Sequence, residues 1–147
     1  MGFIKLDNAN DVSEAVTLPE DVYDLLCESA EETESRNGKP MINVRISVKT
    51  TKVKNPAPVY HMITMVAPGD EPRTKEFKIL MMKRFCYAFG IPFDNGFAVE
   101  DIPGSTGKIA LSIEEYPEGS GNKSNRLVLA KVPENARKVM HRQSDAI

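Results

Sequence analysis

From Met41 to Thr50 the chain alternates strictly. Ile42, Val44, Ile46 and Val48 hold one parity, and Asn43, Arg45, Ser47 and Lys49 hold the other. Successive side chains of a strand point to opposite faces, so this pattern buries one side and leaves the other in water. On a helix the same four β-branched residues would be spread around the circumference, with no face to bury. The segment is therefore a half-buried strand whose wet face carries Arg45 and Lys49. Asn37-Gly38 and Pro40 just upstream are a hairpin signal, which makes the preceding segment its antiparallel partner. There Tyr23, Leu25 and Cys27 alternate with Asp24, Leu26 and Glu28. That favours a strand from Asp21 to about Ala30, with an acidic helix as the alternative reading.

Further elements follow the same logic. Val59 to Val66 reads as a third strand, apolar on both faces. Thr74 to Phe89 reads as a helix: Thr74 can cap it, and Phe77, Leu80, Met81, Phe85 and Ala88 recur at helical spacing with Arg84 among them. Gly90 and Pro92 are the expected stop. Thr106 to Tyr116 and Asn125 to Val132 read as a fourth and fifth strand around a Gly/Ser/Asn loop. The expected core joins Ile42, Val44, Ile46, Ile109, Leu111 and Ile113 to Phe77, Leu80, Met81 and Phe85. The fold class is mainly β with one helix. Five strands with the helix between strands 3 and 4 is the order of the five-stranded OB-fold barrel. An open α+β sheet with the helix on one face is the competing architecture. The domain plan is an N-terminal arm at 1–19, the barrel at 20–133 and a basic tail at 134–147.

Several function classes are disfavoured. The longest apolar stretch, Met62 to Pro68, is too short to cross a bilayer, and no secretory leader is visible. The two cysteines, Cys27 and Cys86, make no disulfide framework and read as reduced thiols, so a cytoplasmic location is expected. His61 and His141 lie far apart with no Cys or carboxylate at ligand spacing, so neither a metal nor another cofactor is expected. Gly104-Ser105-Thr106-Gly107-Lys108 is not a phosphate loop. Two residues instead of four separate its glycines, and it leads into a strand rather than a helix. Glu114 and Glu115 are adjacent in a strand and point to opposite faces. With no nucleophile–base set, the sequence argues against an enzyme.

The net charge of −2 conceals segregation. Glu14 to Glu34 holds eight acids and no base, whereas Lys39 to Pro68 holds five bases and no acid. Cations that meet phosphates, beside flat side chains that take bases, are what sequence-independent binding of a single strand requires. The candidate nucleic-acid-binding residues are Arg45, Lys49, Lys52, Lys54, Tyr60, Lys108, Lys123 and Arg126. Phe93, Phe97 and Tyr116 are further stacking candidates.

A chain of short motifs runs through the same region. Val22-Tyr23-Asp24-Leu25-Leu26 leads through acids into Ser35-Arg36-Asn37-Gly38-Lys39-Pro40-Met41-Ile42. Phe85-Cys86-Tyr87-Ala88-Phe89-Gly90-Ile91-Pro92 ends the helix. Asp101-Ile102-Pro103-Gly104 precedes Gly107-Lys108 and a strand closing on Glu114-Glu115-Tyr116. Over Thr17 to Val132 this resembles a family of small phage-encoded single-stranded-DNA-binding proteins from replication and recombination modules. The resemblance implies an OB-like barrel, binding of single-stranded DNA without sequence preference, and work beside a phage helicase, primase or recombinase. One departure is the C-terminus. Many single-strand binders end in an acidic, hydrophobic tail, whereas Arg137 to Arg142 is basic here. The alternative function is a non-enzymatic protein-interaction module that uses the acidic N-terminal third.

Overall fold

The computed structural model describes residues 2–7, 14–49 and 51–134. Its elements are β1 (Asp21–Glu34), β2 (Pro40–Val48), β3 (Val59–Thr64), α1 (Pro72–Phe89), β4 (Thr106–Glu115) and β5 (Lys123–Val128), with a short 3-10 turn at Val99–Asp101. The five strands make one antiparallel sheet in the order β3-β2-β1-β4-β5, and the single helix lies between β3 and β4 in the chain. The edge strands β3 and β5 approach each other, but no ladder joins them and the sheet is not closed.

The central strand, β1, is longer than its sequence pattern suggests, because it pairs with two neighbours in succession. Asp21 to Leu26 pair with β4, and Leu25 to Glu34 pair with β2. The β1–β2 register slips between Cys27 and Ser29, leaving Glu28 as a bulged residue. A bulge bends its strand and shifts the alternation by one. Cys27 thus faces Ile46 in the core before the slip, and Ala30 faces Val44 after it. The bend lets one strand serve both halves of the curled sheet.

Core side chains come from one face of the sheet, α1 and the loop after it. Leu25, Cys27, Ile42, Val44, Ile46, Val59, Ile63, Ile109 and Leu111 pack against Phe85, Cys86, Phe89, Ile91, Phe93 and Ile102. Four residues expected in the core are not there, among them Met81, which is only partly buried. Ile113 is 38% exposed, Phe77 55% and Leu80 42%. Ile113 lies near the end of β4, and the N-terminal half of α1 is separated from β3 by a groove. The third strand is not apolar on both sides either: Val59 and Ile63 are buried, whereas Tyr60 and Met62 are exposed.

The helix begins earlier than Thr74. Pro72 stands in the first turn, where its missing N–H costs nothing, and no side chain caps the helix. It ends at Gly90, whose left-handed backbone (φ 67°) lets the Gly90 and Ile91 N–H groups bond the carbonyls of Tyr87 and Cys86. The end of α1 presses on β4 at Gly107. A Cβ there would lie 2.2 Å from the Ala88 carbonyl oxygen, so only glycine lets the two backbones meet. The glycines that superficially suggested a phosphate loop thus belong to a turn and a helix–strand contact.

Part of the expected N-terminal arm is body. Leu18 is fully buried, its N–H bonding Asn125 Oδ1 at 2.8 Å and its carbonyl accepting from Asn125 Nδ2 at 2.9 Å. Val16 bridges Pro56 just before β3, and the Thr17 hydroxyl donates to the Lys123 carbonyl at the start of β5. Residues 16–18 therefore tie the approach to β3 to the start of β5. The basic tail beyond Glu134 lies outside the described residues.

Candidate nucleic-acid interface

The face of the sheet away from the core presents most of the sequence-selected residues. Arg45 on β2 and Tyr60 on β3 are register partners, so their side chains stand side by side, and Tyr60 is 47% exposed. Next along are Asn43 and Met62, also partners, with Met62 exposed. Lys49 follows β2 directly, its N–H bonding the Asp24 carbonyl at 2.8 Å, and Lys108 is the partner of Asp24 on β4. Asp24 thus has a lysine on each side. On β5, Arg126 is opposite Ser112.

Two of these cations are matched to acids, which the charge segregation in the sequence did not suggest. The Glu28 carboxylate, carried by the bulge, accepts from Arg45 Nε at 3.1 Å. Glu114 pairs with Arg126, whereas Lys108 and Lys123 have the acids Asp24 and Glu115 as register partners without forming an ion pair. Both ion pairs are about half exposed, so each stabilises the fold by at most about 1 kcal/mol. Their larger effect is to flatten the local positive field. By contrast Lys49, Lys52, Lys54 and Lys123 are exposed and enter no ion pair among the described residues. The four gather at one end of the molecule. Here β2 ends and β3 and β5 begin, and residues 16–18 hold the 51–58 loop to the start of β5. Two nearby carboxylates are held by backbone donors, Glu20 by Ile113 N–H and Glu115 by Gly119 N–H.

The stacking candidates separate by burial. Phe93 is 4% exposed and packs in the core, so it cannot take a base, and Phe97 is partly buried against the same core. Tyr116 stands 76% exposed at the start of the β4–β5 loop, and Tyr60 lies on the strand face. His61, the neighbour of Tyr60, points the other way. It stacks on Phe85 with ring centroids 5.2 Å apart, and burial, helped by the Arg126 charge, lowers its pKa to about 4. It is a neutral packing group at neutral pH. Burial pushes Cys27 up to about 11 and Cys86 to about 12, so both are inert thiols.

Among the described residues, no group of three or more His, Cys, Asp or Glu is arranged to hold a metal ion, and no helix is long and apolar enough to cross a membrane. The Asp70 carboxylate accepts from the Ala67 N–H and from Lys78 Nζ, each at 2.8 Å; these two bonds hold it below the usual carboxylate range, and they pin the turn before α1 to the helix. No protein-family model matches the chain, and no curated protein matches it.

Proposed function

We propose that this protein binds single-stranded DNA without sequence preference, that its curled sheet is an OB-type barrel, and that it is not an enzyme. The strand order with β3 against β5 and the helix between β3 and β4 supports the barrel. The observation that carries the binding reading is the four-lysine end beside Tyr60. Lys49, Lys52, Lys54 and Lys123 meet the phosphates, while Tyr60, with Met62 beside it, takes a base. Such a surface reads backbone and π-face rather than base edges, which fits indifference to sequence. The resemblance to phage single-strand binders points the same way, and with it come a place in phage replication or recombination and a helicase, primase or recombinase as partner. One observation favours the second reading, a protein-interaction module: Glu31, Glu32 and Glu34 stand exposed at the end of β1.

The test is fluorescence anisotropy with labelled single- and double-stranded oligonucleotides across a salt series. Replacing Lys49, Lys52 and Lys54 by Glu should weaken single-strand binding and flatten the salt slope by about 2, at about 0.7 for each lost phosphate contact. Tyr60→Ala should cost about 1–3 kcal/mol and leave the slope nearly unchanged, because stacking releases few counterions. Glu28→Gln should act oppositely, freeing Arg45 and steepening the slope by about 0.7. Wild-type affinity in the triple reversal would overturn the assignment and favour the acidic surface.

A further inference from the structure

The groove between β3 and α1 continues the exposed face of the third strand. Tyr60 and Met62 stand two residues apart on that face, about 7 Å along the strand. Met62 also forms one wall of the groove, with Ile63, while Phe77 and Met81 on α1 form the other. The cleft encloses about 500 Å³, within the range of roughly 300–1,000 Å³ that pockets for small organic groups occupy. Phe77 keeps 55% of its surface in water there. An exposed aromatic ring beside thioethers is a sequence-tolerant seat for a planar π system.

Charge selects the kind of planar group. Among the described residues no carboxylate lines the groove, and His61 there is a neutral packing group. Of the two cations that line it, Lys78 is engaged with Asp70 at 2.8 Å and with the Met65 carbonyl at 3.2 Å. Arg73, in the first turn of α1, is exposed and enters no ion pair among the described residues. An apolar cleft with one unmatched guanidinium suits a flat ring that carries a phosphate, which is the chemistry of a nucleotide. A plain hydrocarbon would leave Arg73 unused.

We propose that the β3–α1 groove is a second base-binding subsite for the same DNA single strand, which leaves Tyr60, passes over Met62 and seats one base against Phe77 while Arg73 meets its phosphate. The inference rests on the outer face being a single-strand surface, and it extends that surface to the other end of β3. The four lysines lie where β3 begins, and the groove lies where it ends. The bound strand therefore follows β3 along its length. The groove takes a base by its π-face, so duplex DNA, whose bases are already stacked, is excluded from it.

The chain has no tryptophan, so Phe77→Trp places a single indole reporter in the groove of the full chain. An oligothymidylate of about 16 nucleotides, the upper end of the usual site size, should quench its emission. A duplex of the same length should not, and an abasic oligonucleotide, with phosphates but no bases, should bind without quenching. In fluorescence anisotropy Phe77→Ala should weaken binding of the oligothymidylate about 5- to 140-fold and leave its salt slope nearly unchanged. Arg73→Gln should flatten that slope by about 0.7. These two variants carry the test should Phe77→Trp not fold. Unchanged indole emission while anisotropy reports binding, or wild-type affinity in Phe77→Ala, would overturn the subsite and leave the outer face standing; it is also the outcome if the groove belongs to an acidic, apolar peptide of a partner protein. A wild-type chain that binds no oligonucleotide would overturn the subsite together with the single-strand reading.

Discussion

In the C-terminal half of α1, Phe85, Cys86 and Phe89 are buried, whereas Phe77 and Leu80, about two turns and a little over one turn before Phe85, are largely in water. The two halves share a periodicity and differ in what lies opposite. The end of the helix rests on β4, where Gly107 lets backbone touch backbone, and His61 stacks beneath Phe85. The beginning of the helix stands off from β3. There it is held by Lys78, which bonds Asp70 and the Met65 carbonyl, and it leaves a groove in place of packing. Helical spacing tells which residues share a face; whether that face is covered depends on strands distant in sequence.

Four substitutions or conditions probe this contrast, beginning with the largest effect. Gly107→Val should put side-chain atoms into the Ala88 carbonyl. Neither backbone can yield cheaply, so thermal melting should show a loss above about 4 kcal/mol or no cooperative fold at all. A stable variant would mean that the helix end is not seated on β4. Phe85→Ala should cost about 3–5 kcal/mol in denaturant unfolding, as a large ring is removed from a closed core.

Third comes pH. His61 has its pKa lowered from 6.5 to about 4, chiefly by burial. Above pH 6.5 it is neutral in both the folded and unfolded states, and its contribution is constant. As pH falls from 6.5 towards 4, the unfolded chain takes the proton and the folded chain does not. Stability is therefore lost through that window, by at most about 3 kcal/mol. His61→Phe should remove that part of the pH dependence, and melting curves that keep the wild-type dependence would contradict the burial. The smallest effect is expected in the other half of the helix. Phe77→Ala should change monomer stability by no more than about 0.5 kcal/mol, as for an ordinary surface position, and a loss comparable with that of Phe85→Ala would erase the contrast.

The charged face repeats the lesson. Arg45 and Lys49 are two repeats apart in the same strand alternation, and sequence places both outward. Glu28 is seventeen positions from Arg45 and reaches it because a bulge in β1 offsets the register. Nothing local distinguishes a neutralised Arg45 from an unpaired Lys49, so the candidate site was legible as a set of cations but not as a field. Tyr60 survives as a stacking candidate because the third strand has a wet face, which its nearly continuous apolar sequence hid. Phe93 fails because the loop after α1 folds into the core.

By itself the sequence determined the elements whose signals are short-ranged. Alternation placed β2 and the strand character of β1 and β4, Asn37-Gly38 placed the first hairpin, and Gly90 stopped the helix, because pleat, turn and cap geometry depend on a few consecutive residues. The tertiary structure alone decided the rest. Residues 16–18 became a seam because Asn125, more than a hundred positions away, supplies the hydrogen bonds that Leu18 needs. Gly107 is obligatory because of a carbonyl on α1, and Phe77 is exposed because a groove separates it from β3. Burial and charge pairing are properties of surfaces brought together by the whole chain, and no local spacing encodes which surfaces those are.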